Sequence, residues 1–362
     1  MLRPLRRHVR LLGPRPCPDR PIPEAAHAVI LAEAIKGDAR QLGFDAVGIS
    51  RIEAASTNPE ASLSERLRTR LAEWLQRGYH GAMGWMARDP SRRADPRLVL
   101  PGCRSVISLG MNYYTDHRAD ERPGHGRIAR YAWGRDYHDT FKQKLEQLAA
   151  RITTLAPDAK TRGYADTGPV MEKAWAQQAG LGWIGKHSNL VSTQFGSWLL
   201  LGEILTTLDL PPDEPGDDLC GACTLCIRAC PTDAIAEPYV VDATRCISYW
   251  TIERHGPDDE IPPALASKLG NRIFGCDDCL DVCPYNVNAS PTDEPAFHPS
   301  PLALSPDLTA LAAIDEPAFA ATFRGSPIRR ANHTGLTRNV RHALRNQSRP
   351  ASPDLSLPTG PR

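Results

Sequence analysis

The amino-acid sequence predicts an α+β chain in three folded parts. These are a mixed α/β domain over residues 28–212, a small cysteine-rich domain over 213–290 and a short helical segment over 291–346. Three observations carry this. Between residues 28 and 210, stretches with a helical apolar period alternate with short, strongly apolar runs. The segment PPDEPGDD (211–218) then breaks the pattern with proline, glycine and acid, as a linker does. Eight of the ten cysteines follow within residues 220–283.

Residues 1–27, rich in Arg and Pro, are expected to form a disordered basic leader. AVILAEAIKGDARQLG (28–43) has helical period, and Gly43 ends it. FDAVGIS (44–50) reads as a strand, and EASLSERLRTRLAEWLQR (60–77) as an amphipathic helix closed by Gly78. SVISLGMNYY (105–114) is a second strand, apolar enough to be central, and YHDTFKQKLEQLAARITTL (137–155) is a long amphipathic helix. TRGYADTG (161–168) reads as a strand running into a turn. Pro169 is expected to open the helix PVMEKAWAQQAG, with Gly180 as its stop. SNLVST and SWLLLGEILTTL, separated by QFG, read as a β-hairpin. Residues 300–346 read as helical, and 347–362 as a disordered tail.

Bulk properties narrow the function. The chain has 362 residues, 41 % hydrophobic and 23 % charged, with a net charge of +1, so it is not a polycation. Any nucleic-acid contact must come from a local basic patch. No run reaches the ~18–20 apolar residues of a membrane span. Arg6 and Arg7 lack the apolar stretch of an export signal, because Gly13, Pro14 and Pro16 follow at once. A cytoplasmic monomer is expected, and cytoplasmic cysteines are seldom structural disulfides. Cys17 and Cys103 stand apart and read as plain thiols.

Cys220, Cys223, Cys226 and Cys230 lie at spacing C-x2-C-x2-C-x3-C and are followed by Pro231. Further on stand Cys246 and then Cys276, Cys279 and Cys283, followed by Pro284. A 4Fe-4S cube takes one thiolate per iron. In two-cluster ferredoxins the cysteine before proline crosses to the other cluster. The spacing therefore predicts a ferredoxin-like domain with two 4Fe-4S clusters. One takes Cys220, Cys223, Cys226 and Cys283, and the other takes Cys230, Cys246, Cys276 and Cys279. Structural zinc is the competing reading, but it prefers separated C-x2-C pairs. Clusters move single electrons, so a domain of roughly 180 residues ahead of them is expected to hold an acceptor. No G-x-G-x-x-G follows a strand to suggest a dinucleotide.

Several long stretches, in order, resemble the epoxyqueuosine reductase family. They are RRADPRLVLPGCRSVISLGMNYY, RYAWGRDYH, DTGPVMEKAWAQQAGLGWIGKHSNL, GSWLLLGEI, GNRIFGCDDCLDVCPYN and FRGSPIRR. The resemblance implies a corrinoid-binding first domain, with cobalamin and two 4Fe-4S clusters as cofactors. It also implies reduction of epoxyqueuosine to queuosine at the wobble position of tRNA, with electrons from an external low-potential donor. It implies that Asp166, in the DTG motif, is the general acid over the cobalt. A carboxyl in that role would need burial to raise its pKa from ~3.9, whereas the plainer role for Asp166 is to cap the helix expected at Pro169. Arg93, Ala129, Tyr131, Tyr137, His138, Asp166, Lys186, Asn189 and Ser197 are the implied cobalamin contacts. His187 is expected to be structural rather than a cobalt ligand.

Two basic stretches are candidates for tRNA phosphates. One is Arg324, Arg329, Arg330, Arg338, Arg341 and Arg345, with no acid between the first and last. The other is Arg118, Arg122, Arg127, Arg130 and Arg135. Two other functions fit parts of the sequence. A corrinoid iron–sulfur reductive dehalogenase would normally carry an export signal and a tyrosine donor. A ferredoxin-type electron carrier would take up no corrinoid.

Overall fold

The computed structural model describes residues 23–53, 62–256 and 261–348. Most of the expected leader, Cys17, the first two residues of the helix expected over 60–77, and the tail past Ser348 lie outside the described residues.

In chain order the first domain contains α1 (Glu24–Gln41), β1 (Ala46–Arg51), α2 (Leu63–Gln76), α3 (Pro90–Ala94), β2 (Ser105–Asn112) and β3 (Arg127–Ile128). It continues with α4 (Tyr137–Leu155), β4 (Thr161–Tyr164), α5 (Glu172–Gln178), β5 (Trp183–Ile184), β6 (Leu190–Val191) and β7 (Leu199–Thr206). The cysteine-rich part adds α6 (Leu225–Ala229), β8 (Ile235–Glu237), β9 (Val240–Val241), α7 (Pro263–Lys268), β10 (Arg272–Phe274) and α8 (Asp278–Asp281). Four helices follow: α9 (Pro301–Leu304), α10 (Leu308–Ala312), α11 (Glu316–Thr322) and α12 (Asn332–Gln347).

The central sheet is antiparallel, in order β1-β2-β7-β4. All eight residues of β2 are buried, so both of its faces are covered. Ile107, Leu109 and Met111 belong to one core with Ile35 of α1 and Phe141, Leu148 and Ile152 of α4. Val106 meets Val170, Trp175 of α5 and Leu205 in a second core. Each such side chain contributes roughly 1.5–3 kcal/mol on burial. The α4 helix starts where Asp136 caps it, accepting the His138 N–H, and its buried residues recur every three or four positions.

Four expectations need correction. The first helix begins at Glu24 rather than at residue 28, within the stretch expected to be leader. The helix expected at Pro169 begins at Glu172, because residues 165–171 form a loop in which Gly168 lies against the Tyr164 ring, leaving no room for a Cβ. As a consequence, Asp166 caps no helix. The expected hairpin shrinks to a single bridge between Ser192 and Gly196. The two-residue β6 pairs with β5, whereas the long, buried β7 is drawn into the middle of the central sheet.

The C-terminal helices are bound into the cysteine-rich part. Ile273 and Phe274 of β10 share a core with Leu336, Val340 and Ala343 of α12. β10 also pairs in parallel with β3. Asn339 donates to the carbonyls of Thr251 and Ile273, both at 2.9 Å. Thr251 lies in Tyr249–Glu253, a π-helical turn, a form frequent at functional sites.

Candidate active site

A cavity of about 1460 Å³ lies between the first domain and the cysteine-rich part. Ligand pockets are usually ~300–1,000 Å³, so this one has room for an unusually large group. Arg93, Ala129, Tyr131, Tyr137, His138, Asp166, Asn189 and Ser197 all line it, together with Leu199, Leu200 and Leu201 of β7. Lys186 does not. Its ammonium turns away and donates to the carbonyls of Gly221 (2.5 Å) and Cys223 (2.9 Å), because those carbonyls lie within reach of its loop. The expectation that Lys186 holds the cofactor is corrected.

Several polar groups face the cavity. Lys173 donates to Asn189 Oδ1 at 2.6 Å, and the Arg93 guanidinium lies 5.0 Å from the Trp85 ring centre. His187 is 4 % exposed, and burial pushes it down to about 4, so it is neutral. Its Nδ1 accepts the Asn189 N–H at 3.1 Å, which puts the ring proton on Nε2. That buried Nε2 has no partner among the described residues. An unpaired buried donor is costly, so it suits a cavity that takes a polar ligand. Together with the apolar wall and the volume, this fits a corrin with its rim of amides.

Asp166 occupies the turn after β4 in the left-handed region, at φ +58°. Its side chain is 59 % exposed and open to the cavity. Tyr137 donates to its Oδ2 at 3.1 Å, and His138 Nε2 stands 3.4 Å from the same atom. The other ring nitrogen, His138 Nδ1, is 2.7 Å from Asp136 Oδ1. The hydrogen bond from His138 holds Asp166 below its ordinary range, against the effect of burial. Burial works against a charge on His138, but the bonds to Asp136 and Asp166 outweigh it and raise His138 to about 9. This corrects the expectation of a raised Asp166. The proton resides on the imidazole between two carboxylates.

Glu172 and Glu203 are acids that sequence reasoning missed. Glu203, in β7 opposite Tyr164, is 1 % exposed and its Oε2 has no partner among the described residues. Burial, with the nearby Glu172 and Asp166 charges, raises Glu203 well above the ordinary range. Burial likewise raises Glu172, which lines the cavity. An acid at an inward position of a strand was the available signal.

All eight cysteines of the module are free thiols. Burial pushes up the Cys283 and Cys226 thiols, and in both cases neighbouring Cys220 and Cys223 add to the shift. Cys279 is raised by burial and then by Cys276, Cys246 and Cys230. These mutual influences sort the thiols into two sets, Cys220, Cys223, Cys226 and Cys283 on one side and Cys230, Cys246, Cys276 and Cys279 on the other. Cys230, Cys246, Cys276 and Cys279 line the cavity, whereas the other four do not.

The arginines divide. Arg338 is fully buried and donates to the carbonyls of Trp250 and Gly256, so it cannot reach a phosphate. Arg130 stacks among Tyr114, Trp133 and Trp198, and Arg127 faces Asp278 and Asp281. Arg122 pairs with Asp120, and Arg330 with Glu253 at 2.9 Å. Acids, distant in sequence for Arg127 and Arg330 but only two residues away for Arg122, thus offset part of both basic stretches. Arg135 and Arg324, one from each stretch, instead meet along a second cleft of about 520 Å³. That cleft shares Asp136 and Asp139 with the main cavity, and exposed Arg329 lines the cavity itself.

Residues 219–286 match the family model of a 4Fe-4S double cluster binding domain. With four of its thiols opening onto a large internal cavity, the protein is by class an iron–sulfur oxidoreductase. Residues 93–167 match the model for epoxyqueuosine reductase QueG, DUF1730. The chain belongs to the epoxyqueuosine reductase family. It is 47 % identical over 276 residues to the epoxyqueuosine reductase of Synechocystis sp., covering 76 % of this chain and 94 % of that one. Against the Escherichia coli epoxyqueuosine reductase it is 41 % identical over 320 residues, 87 % of this chain and 81 % of that one. A crystal structure of epoxyqueuosine reductase with an epoxyqueuosine-modified tRNA-Tyr stem loop superimposes with a TM-score of 0.79 at 30 % identity, covering 88 % of this chain and 82 % of that one. The Bacillus subtilis enzyme, solved with a catalytic aspartate loop swung out of its active site, gives 0.78 at 29 % identity, over 88 % and 82 %. Among the described residues, no helix is long and apolar enough to cross a membrane.

Proposed function

We propose that this protein reduces epoxyqueuosine in tRNA to queuosine. Family membership supplies the substrate. The observation that carries the chemistry is that one cavity is walled both by Asp166 and by Cys230, Cys246, Cys276 and Cys279. Proton source and electron source thus face the same space.

The net change takes up two electrons and two protons and releases one water. Two 4Fe-4S clusters would be held by Cys220, Cys223, Cys226 and Cys283 and by Cys230, Cys246, Cys276 and Cys279, a division supported by the two groups of thiols. Cobalamin, held by Arg93, Tyr131, Asn189, Ser197 and the His187 Nε2–H, would supply a metal centre able to gather single electrons for C–O cleavage.

The chain's own contribution is the first of the two protons, the second being drawn from solvent. Opening an epoxide leaves an alkoxide, a poor leaving group until protonated. His138 stores a proton between Asp136 and Asp166, and Asp166 hands it to the epoxide oxygen. Tyr137 fixes the carboxylate through its hydroxyl. A relative's catalytic aspartate loop supports this role, since Asp166 is on a loop between β4 and α5.

The test is anaerobic reconstitution with iron, sulfide and cobalamin, followed by incubation with epoxyqueuosine-containing tRNA and a chemical reductant. Nucleoside digests should contain queuosine. A preparation carrying eight irons and one cobalt that leaves epoxyqueuosine intact would refute the reading.

A further inference from the structure

The segment Trp183–Lys186 belongs to the first domain, yet it folds over the thiol group that is remote from the cavity. Trp183, 2 % exposed, donates its indole N–H to Cys220 Sγ at 3.4 Å. Lys186, 9 % exposed, drives its ammonium onto the carbonyls of Gly221 and Cys223, within the segment that bears Cys220 and Cys223 and leads into α6 with Cys226. The backbone continues the contact, since Tyr239 N–H donates to the Lys186 carbonyl at 2.9 Å. Among the described residues Lys186 forms no ion pair; Asp218, which accepts the Cys220 N–H at 2.8 Å, is an anion that feels it. The other group of thiols has a different environment. Its cation, Arg272, is paired with Asp278, and Asp277 and Asp281 stand nearby.

We propose that Lys186 is the cation that sets the reduction potential of the cluster held by Cys220, Cys223, Cys226 and Cys283. This rests on the ligand division argued above. Reducing a cluster adds one negative charge to it. A buried positive charge hydrogen-bonded to its ligand loop stabilises the reduced form, and the indole N–H to sulfur acts in the same direction. The charge is held by backbone carbonyls rather than in an ion pair, so Asp218, which feels it without bonding it, offsets its field only in part. Lys186 is a positioning residue, acting through the cluster and touching neither substrate nor cavity.

The experiment is an anaerobic redox titration followed by electron paramagnetic resonance, on full-length cluster-loaded protein without tRNA. Wild-type protein with eight irons and two cluster signals establishes the underlying reading. Zinc, or four irons, would defeat that reading before any variant is made. In Lys186→Met with eight irons, one cluster should become at least tenfold harder to reduce, a midpoint about 59 mV lower for one electron. The second midpoint should stay in place. Lys186→Arg should restore most of the shift. A Cys220→Ser variant, altering or losing one signal, assigns which cluster has moved. Two unchanged midpoints in eight-iron Lys186→Met would overturn the proposal. So would a Lys186→Met protein that retains only four irons, since Lys186 would then serve to hold the loop.

Discussion

His138 Nε2 stands 3.4 Å from the Asp166 carboxylate while its Nδ1 is 2.7 Å from Asp136. One imidazole therefore bridges two carboxylates at the edge of the cavity. Two anions flanking one ring favour the charged ring, which explains why His138 is raised and Asp166 lowered. The arrangement stores an acid at neutral pH without requiring Asp166 to be neutral beforehand.

On the proposed mechanism, Asp166→Asn removes the group that would hand on the proton. It should keep cobalamin and both clusters while turnover falls by about 10²–10⁴. Cofactor stoichiometry and single-turnover conversion check this, and normal turnover would dismiss Asp166 as the donor.

The pH dependence follows from His138. Wild-type turnover should decline as pH rises through about 9, where the stored proton is lost. The stabilising contribution of the pair has the same sign. It is complete below the unfolded histidine value of about 6.5 and disappears as pH rises through the folded one. His138→Gln should be slow at pH 7 and lack the alkaline limb, read from rate profiles between pH 6 and 10.

Glu203 gives a stability prediction with the opposite chemical origin. It is buried in β7 with Oε2 unpaired among the described residues, and its pKa is raised mainly by burial. A neutral buried acid supports the fold fully below the unfolded carboxyl value of about 4.5. That support is lost as pH rises toward the folded value. Glu203→Gln keeps the shape and removes the titration. The variant should gain on wild type with rising pH, by at most about 1.4 kcal/mol per pH unit. Anaerobic melts at pH 5.5, 6.5 and 7.5 would show a constant gap if Glu203 were ionised in the fold.

Much of the fold was legible because its elements are long and patterned. The 137–155 helix has buried residues at regular spacing, and eight-residue β2 is buried throughout. The cysteines declared their chemistry through spacing. What was not legible depended on distant partners. Eight of the nine expected cavity residues reached the cavity, but Lys186 met carbonyls 35 and 37 residues away. The hairpin failed because β7 found better burial between β2 and β4 than beside two-residue β6. Asp166 was located by its motif, yet its protonation depended on His138, 28 positions earlier in the chain. Glu203 escaped notice because one acid in an apolar strand looks like a solvent-facing residue until both faces are known to be covered.

The arginines yield the last prediction, because the structure separates those that hold the fold from those that face the clefts. Arg338 bonds carbonyls of Trp250, in the π-helical turn, and Gly256 from inside the core, so Arg338→Ala leaves those acceptors unpaired and opens a cavity. It should cost about 3 kcal/mol or more of stability. Its effect on tRNA binding should vanish at temperatures where the variant is folded. Arg135 and Arg324 converge on the cleft beside the main cavity, and Arg329 lines the cavity itself. A stem loop entering there would place phosphates against them. Replacing Arg135 and Arg324 together by Gln should leave melting nearly unchanged and weaken tRNA binding. The slope of log affinity against log salt should shrink by about 0.7 for each single-stranded loop phosphate that is no longer neutralised. Affinity measured across roughly 50 to 200 mM salt distinguishes this from a fold defect, which would lower active protein without changing the slope. An unchanged slope in the double variant, with tRNA still bound, would move the phosphate path away from this cleft.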